Sequence, residues 1–228
     1  MVTVDVPLSG NRENNVRAGF STPLRPSARL AWDGLTRPAW LCGTFARTLL
    51  VHGMPHFENS FAERGAPLLS ARAVRDLSAR DHLSWANAEH IRARWRGALV
   101  FKGILHPEDA RLAREAGADA LIVSNHGGRQ LDHAVAPLKV LASVVAAVPG
   151  MPVMLDGGVR RGTDVLKALA LDARAVFVGR PFNYAAAIGG EAGVVHAATL
   201  LRNELDRDLA LLGVTSCAAL SPAHLMQR

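Results

Sequence analysis

His126 and Arg129 stand close together in Ser124-Asn125-His126-Gly127-Gly128-Arg129-Gln130-Leu131-Asp132, directly after the apolar run Ala120-Leu121-Ile122-Val123. An imidazole gains and loses a proton near neutral pH. A guanidinium offers a rigid fork that matches a carboxylate with two parallel hydrogen bonds. Side by side at the end of a buried strand, the two describe a site that grips an acid and removes a proton next to it. A turn alone explains the glycines and the Asn or Asp, and an isolated His-x-x-Arg recurs by chance. The weight comes from what surrounds it.

Lys102 is a second signal. Lys102, Lys139 and Lys167 are the only lysines among 26 basic residues, and Lys102 follows Leu99-Val100-Phe101. A buried ammonium needs an anionic or polarisable partner, unless its stem packs while its head reaches water. The third signal is Asp156-Gly157-Gly158-Val159-Arg160-Arg161-Gly162, which opens a helix. Backbone N–H groups and the helix dipole favour an anion there, with Arg160 close by. Gly179-Arg180, after the following strand, supplies a second loop of the same kind. Paired loops after the last two strands are the usual phosphate site of a (β/α) barrel.

The elements that must position these residues follow from periodicity. Strands are expected at Val2–Asp5, Leu99–Gly103, Ala120–Ser124, Pro152–Asp156 and Ala175–Gly179. Between and after them lie helices at Pro107–Ala116, Pro137–Val148, Thr163–Ala170, Asn183–Ile188 and Gly193–Leu212. Apolar strands alternating with helices predict an α/β fold with a parallel sheet of about five strands. Asp5, Lys102, His126, Asp156 and Arg180 each fall at the carboxyl end of a strand, the face on which barrels build their sites.

The remaining sequence narrows the class. A chain of 228 residues with 49% apolar residues has an ordinary globular composition. The net charge of +6 suits acidic substrates or anionic lipid. No nucleic-acid motif is present, and the arginines of Arg92 to Arg96 fit a solvated helix face. Cys42 and Cys217 are far apart in sequence, which points to a reducing, cytoplasmic setting and no metal cage. His52 and His56 have helical metal spacing, but Gly53 and Pro55 between them argue against a zinc pair and leave loop histidines. No signal peptide or bilayer-spanning run is seen.

From Ser21 to Pro67 the pattern is least regular, with a helix expected over Trp40–Val51 and short polar helices between Ser70 and Arg96. The chain therefore reads as one domain over 1–228 with an irregular insertion at about 21–95. Within about 24–51, Leu24, Leu30, Trp32, Leu35, Trp40, Leu41, Phe45, Leu49 and Leu50 are interleaved with Arg25, Arg29, Arg37 and Arg47. That mixture suits the headgroup boundary of an anionic membrane. Covering the barrel, or a subunit contact in a homo-oligomer, would use the same residues.

The segment Ser124–Asp132 resembles the active-site motif of the FMN-dependent α-hydroxy acid oxidases and dehydrogenases, a family that includes glycolate oxidase, L-lactate dehydrogenase and mandelate dehydrogenase. The resemblance extends through Leu155–Asp164 and Val178-Gly179-Arg180-Pro181, and upstream through Thr3-Val4-Asp5-Val6-Pro7 with Gly10-Asn11-Arg12-Glu13. Val51-His52-Gly53-Met54-Pro55 is most similar to the mandelate dehydrogenase branch, whose members are membrane-associated. The resemblance implies FMN as cofactor and a small (S)-2-hydroxy acid, of lactate, mandelate or glycolate type, oxidised to the 2-oxo acid. It makes His126 the base and Asp5 the acceptor that steadies it. Arg129 and Arg12 would clamp the substrate carboxylate. Thr3, Lys102 and Ser124 would contact the flavin, and Asp156, Gly158, Arg160, Gly179 and Arg180 would hold its ribityl phosphate arm. Oxygen, a quinone or a cytochrome would each serve as the electron acceptor, and the inner face of the membrane as the place of contact.

Departures from the family pattern set a competing expectation. A complete member has eight strands; this chain carries the last five and lacks the two pocket tyrosines, its only tyrosine being Tyr184. The expectation is a partial (β/α)8 barrel without its N-terminal strands. Such a chain is either an oxidoreductase or a truncated, non-catalytic remnant that binds FMN weakly or not at all.

Overall fold

Strand-forming runs and helix starts alternate regularly from residue 99 onward, and this sets the layout of the larger of two compact units. The computed structural model describes residues 1–8, 10, 12–20, 24–58, 63–70 and 83–226. They group as 1–10 with 80–228, and as 11–79.

The 11–79 unit holds α1 (Glu13–Arg17) and α2 (Ala28–Leu35), whose Ser27 side chain accepts from the Leu30 amide at 3.1 Å. A continuous helical run follows as α3 (Pro38–Trp40), a π-helical segment (Leu41–Ala46) and α4 (Arg47–His52). Trp40 stacks on Phe45 with ring centroids 5.5 Å apart. The run stops at Gly53, whose φ of +73° breaks the helix. His52 therefore closes a helix, where the glycine and proline beside it suggest a loop, while His56 Nδ1 lies 2.8 Å from the Gly65 carbonyl oxygen. None of these helices has a fully buried residue.

The larger unit contains β1 (Val2–Thr3), α5 (Trp85–Arg94), β2 (Val100–Ile104), α6 (Pro107–Glu115), β3 (Ala120–Ser124) and α7 (Pro137–Ala147). After these come β4 (Val153–Asp156), α8 (Gly162–Ala170), β5 (Val176–Phe177) and α9 (Arg180–Leu211), the last interrupted at Gly190. Of the helices expected between Ser70 and Arg96, α5 is present and residues 71–82 lie outside the described residues. Proline at the start of α6 and α7 fits the first helical turn, where its missing N–H costs nothing. All neighbouring strands pair in parallel, in the order β1-β2-β3-β4-β5. The parallel five-stranded sheet is the one the alternation predicts, and its strand order is that of the partial (β/α)8 barrel the family resemblance implies.

Packing separates the two faces of each strand. Leu99, Phe101, Leu121, Val123, Val153 and Leu155 form one core with Ala110, Ala113, Leu141, Val144, Val165 and Ala168 of the helices. By the two-residue alternation of a strand, Lys102, Ile122, Ser124, Met154 and Asp156 belong to the other face. One bulge interrupts this alternation. Lys102 pairs with Ile122 and Ile104 with Val123, so Gly103 is an extra residue. Ile104 thereby returns to the helix-side core while Lys102 stays on the opposite face.

Leu121 is fully buried on the helix-facing side of β3. Leu121→Ala should destabilise the fold by about 2–5 kcal/mol, read as a lowered denaturation midpoint. A loss below ~1 kcal/mol would contradict this account of the core.

Candidate active site

Parallel register lines up three polar side chains on β2, β3 and β4. Ser124 and Asp156 are direct neighbours across β3 and β4. The Ser124 hydroxyl is fully buried and donates to Asp156 Oδ2 at 2.7 Å. Lys102 Nζ lies 2.9 Å from Ser124 Oγ and 2.8 Å from Asp156 Oδ2. The ammonium is thus paired and hydrogen-bonded, which is what a part-buried charge requires. Burial pushes the Asp156 carboxyl up; hydrogen bonds from Lys102 and Ser124, and the Lys102 charge, outweigh this and hold it below the ordinary 3.8.

The same serine sets the next residue. The His126 amide donates to Ser124 Oγ at 3.0 Å, and His126 adopts a left-handed φ of +57°. Histidine tolerates that region better than most residues, at a cost of about 1–3 kcal/mol that the surrounding contacts must offset. The turn directs the ring to Asp5, whose Oδ1 lies 3.2 Å from His126 Nδ1. Asp5 comes from the end of β1, far away in sequence. Its side chain is 12% exposed, and its Oδ2 is buried with no hydrogen-bond partner among the described residues.

His126, Lys102 and Asp156 border a cavity of about 520 Å3 together with Arg129, Arg160, Arg180, Gly158 and Gly179. That volume lies within the ~300–1,000 Å3 of small-molecule sites. Phe177 and Tyr184 add apolar and aromatic surface to its wall. Arg180 Nη2 donates to the Gly127 carbonyl at 2.9 Å, tying the loop after β5 to the loop after β3. Among the described residues of this unit, no carboxylate pairs with Arg129, Arg160 or Arg180. Three guanidinium groups without such partners make the cavity rim attractive to anions.

The remaining expected residues are placed differently. Thr3 is exposed on β1, in register with Lys102. Arg12 belongs to the 11–79 unit, where it precedes α1. The amides at the start of α8 are already taken by the protein's own carboxylates. Asp164 Oδ2 accepts from the Arg160 and Arg161 amides at 2.9 and 3.1 Å, and Glu204 Oε2 accepts from the Gly162 amide at 2.8 Å. The Gly162 N–H, with the Arg161 ion pair at 2.8 Å, holds the Glu204 carboxyl below its usual range. Those three amides are therefore taken, and an anion in the cavity would meet the arginine side chains and the backbone at Gly158 and Gly179. Glu204, on the distant α9, gave no signal in the sequence beyond its helix. The bulge at Gly103 is absent from the expected strand Leu99–Gly103; its one local signal is a glycine at a strand end.

The family described as FMN-dependent dehydrogenase matches residues 1–227. The (S)-mandelate dehydrogenase of Pseudomonas putida is 40% identical over 225 residues, covering 99% of this chain and 56% of that protein. An L-lactate dehydrogenase of Xanthomonas campestris pv. campestris is 40% identical over 223 residues, covering 96% and 56%. The crystal structure of the monotopic membrane protein (S)-mandelate dehydrogenase superposes with a TM-score of 0.84 at 38% identity, covering 99% of this chain and 59% of that one. A mandelate oxidase structure gives a TM-score of 0.67 at 35% identity, covering 96% and 52%. The chain spans rather more than half the length of the relatives it matches.

The Asp156 shift gives a pH test. Its folded value lies below the unfolded one, so the pair stabilises the fold fully above the unfolded value and loses that stabilisation as pH falls through the folded value. Thermal melts should show the native chain above Asp156→Asn at neutral pH, with the gap closing below about pH 4. A gap that stays constant into acid would contradict the pairing.

Proposed function

The chain belongs to the FMN-dependent dehydrogenase family, and we propose that its site oxidises a small (S)-2-hydroxy acid, of lactate, mandelate or glycolate type, to the 2-oxo acid. The observation that carries this reading is the meeting of the Asp5–His126 pair with Arg129 and Lys102 around one cavity. The donor set fits flavin mononucleotide. Lys102 offers a cation for the polar edge of the ring, with Thr3 beside it, while the buried Ser124 hydroxyl holds the lysine head rather than reaching the ring. Arg160 and Arg180, with Gly158 and Gly179, offer charge and open backbone for a phosphate, and Asp156 fixes the Lys102 head. When bound, the flavin supplies the acceptor for two electrons.

The chain's own residues handle the rest. Nδ1 of His126 faces a carboxylate, so in the neutral ring it carries the proton and Nε2 keeps a lone pair. Nε2 takes the proton from the substrate α-hydroxyl, and the Asp5 carboxylate stabilises the imidazolium that forms. Arg129, on the cavity wall beside His126, binds the substrate carboxylate and fixes the α-carbon relative to the base. Lys102 offsets negative charge that develops at the cofactor end of the cavity.

The 11–79 unit supports a peripheral membrane role on the inner, cytoplasmic face. Trp32, Leu35, Trp40, Leu50 and Val51 are exposed there among arginines, and a similar solved protein is a monotopic membrane protein. No helix among the described residues is long and apolar enough to cross a membrane. Cosedimentation with anionic vesicles should be strong at low salt, weaken with added salt, and fall for Trp40→Ala. No binding at low salt would end this part of the reading.

His126→Asn tests the chemistry. It should abolish oxidation of 2-hydroxy acids, by at least about 10²-fold, while leaving bound-flavin absorbance largely intact. Near-normal turnover would remove His126 from the mechanism. Flavin absorbance without turnover in the native chain would instead indicate a flavin-binding protein lacking activity.

A further inference from the structure

Asp5 reaches His126 only because the backbone beside it carries no side chain. Gly103 is the extra residue of the β2 bulge and has a φ of +110°. A Cβ built on it would stand 2.6 Å from Asp5 Cβ, 2.7 Å from Asp5 Cγ and 2.9 Å from the Asp5 backbone nitrogen. These separations are far below van der Waals contact, so any other residue must displace Asp5 or itself. Glycine also adopts this φ at no steric cost, which L side chains do not.

Asp5 has little freedom to absorb such a displacement. Its Oδ1 holds His126 Nδ1 at 3.2 Å, already at the long end of a hydrogen bond. The Val4 amide, next to it, donates to the Lys102 carbonyl at 2.8 Å and pins the chain against β2 on the other side of the bulge. Asp5 Oδ2 is buried without a partner among the described residues, so its carboxylate is held by packing and by one hydrogen bond. The bulge thus does two things at once. It returns Ile104 to the helix-side core, and it opens the space in which the Asp5 carboxylate lies against β2.

We infer that Gly103 is a positioning residue: its bare Cα seats the Asp5 carboxylate against the bulge, and through Asp5 it fixes the tautomer and aim of His126. This rests on the reading of His126 as the base, and its role is separable from that reading because a tautomer can be measured without turnover.

The experiment is nitrogen NMR of the full chain labelled with 15N-histidine, with His126 assigned by its loss in His126→Asn. In the native chain the His126 signals should report a proton on Nδ1 and an unprotonated Nε2. In Gly103→Ala they should move toward the Nε2-protonated form, because the carboxylate that holds Nδ1–H has been pushed off. Where 2-hydroxy acid turnover is measurable, kcat should fall about 10²-fold with KM little changed, the pattern of a misaimed base rather than a lost substrate contact. An unchanged tautomer in folded Gly103→Ala overturns the inference, as does a native His126 protonated on Nε2.

If Gly103→Ala does not fold, the double variant Asp5→Gly with Gly103→Ala removes the colliding side chain. Strain at φ and the contact with the residue-5 nitrogen are common to both variants, so the double variant should recover a folded fraction over Gly103→Ala in a stabilising osmolyte, and no recovery overturns the inference. A tautomer change in Gly103→Ala, alongside no oxidation by the native flavin-loaded chain, would overturn the enzyme reading and leave the positioning role standing.

Discussion

A lysine head on the open face of a sheet must be answered by an anion, and that requirement organises the site. Lys102, 15% exposed, takes Asp156 as counter-charge at 2.8 Å and Ser124 as a second partner at 2.9 Å. The pair forms only if β2, β3 and β4 stand in the observed register, because a slip of one residue would turn Ser124 or Asp156 into the helix-side core. Loss of one member would leave a part-buried charge or hydroxyl unanswered, which costs more than the pair contributes. The network is therefore a register lock first. Its effect on His126 is transmitted through the Ser124 hydroxyl, which accepts from the His126 amide and helps hold a left-handed backbone there.

The anion-binding end obeys a different rule. Helix starts are ready-made anion sites, yet the first amides of α8 are satisfied by Asp164 and Glu204. Those carboxylates serve the fold. Glu204 ties α9 to α8, and a Cβ on Gly162 would stand 2.7 Å from Glu204 Cβ, so the two helices meet closely there. The positive character of the cavity rim is carried instead by the guanidinium groups of Arg129 and Arg160 on loops and of Arg180 at the start of α9.

The sequence exposed the strands, the helices and most of the cavity residues because each has a short-range signature. Apolar runs of four or five residues mark β2, β3 and β4, proline marks the starts of α6 and α7, and glycine-arginine loops mark the rim. What it concealed depends on distance or parity. Nothing local to Glu204 says that it will meet the Gly162 amide, since the two are 42 residues apart. The expected strand Leu99–Gly103 ends one residue short of the bulge's consequence, in which Ile104 rejoins the core through a shifted pairing with Val123. Arg12 lay beside a strand motif in sequence and falls in the 11–79 unit. Position along the chain is a poor guide across such a change of unit.

The edges of the sheet explain why ties such as Asp5–His126 matter beyond chemistry. β1 and β5 are each two residues long and pair with one neighbour in the sheet, whereas β2 and β3 have five residues. Short edge strands have few ladder bonds to hold them. Asp5 extends from β1 and Arg180 follows β5, so both depend on side-chain ties to the central strands for their position. Asp5 gains its hold from His126 and the bare backbone at Gly103, and Arg180 from the Gly127 carbonyl. Both ties end on the loop after β3, the element with the longest fully buried strand beneath it. His126 is thus anchored from below by Ser124 and from one edge by Asp5, while the neighbouring Gly127 is held from the other edge by Arg180.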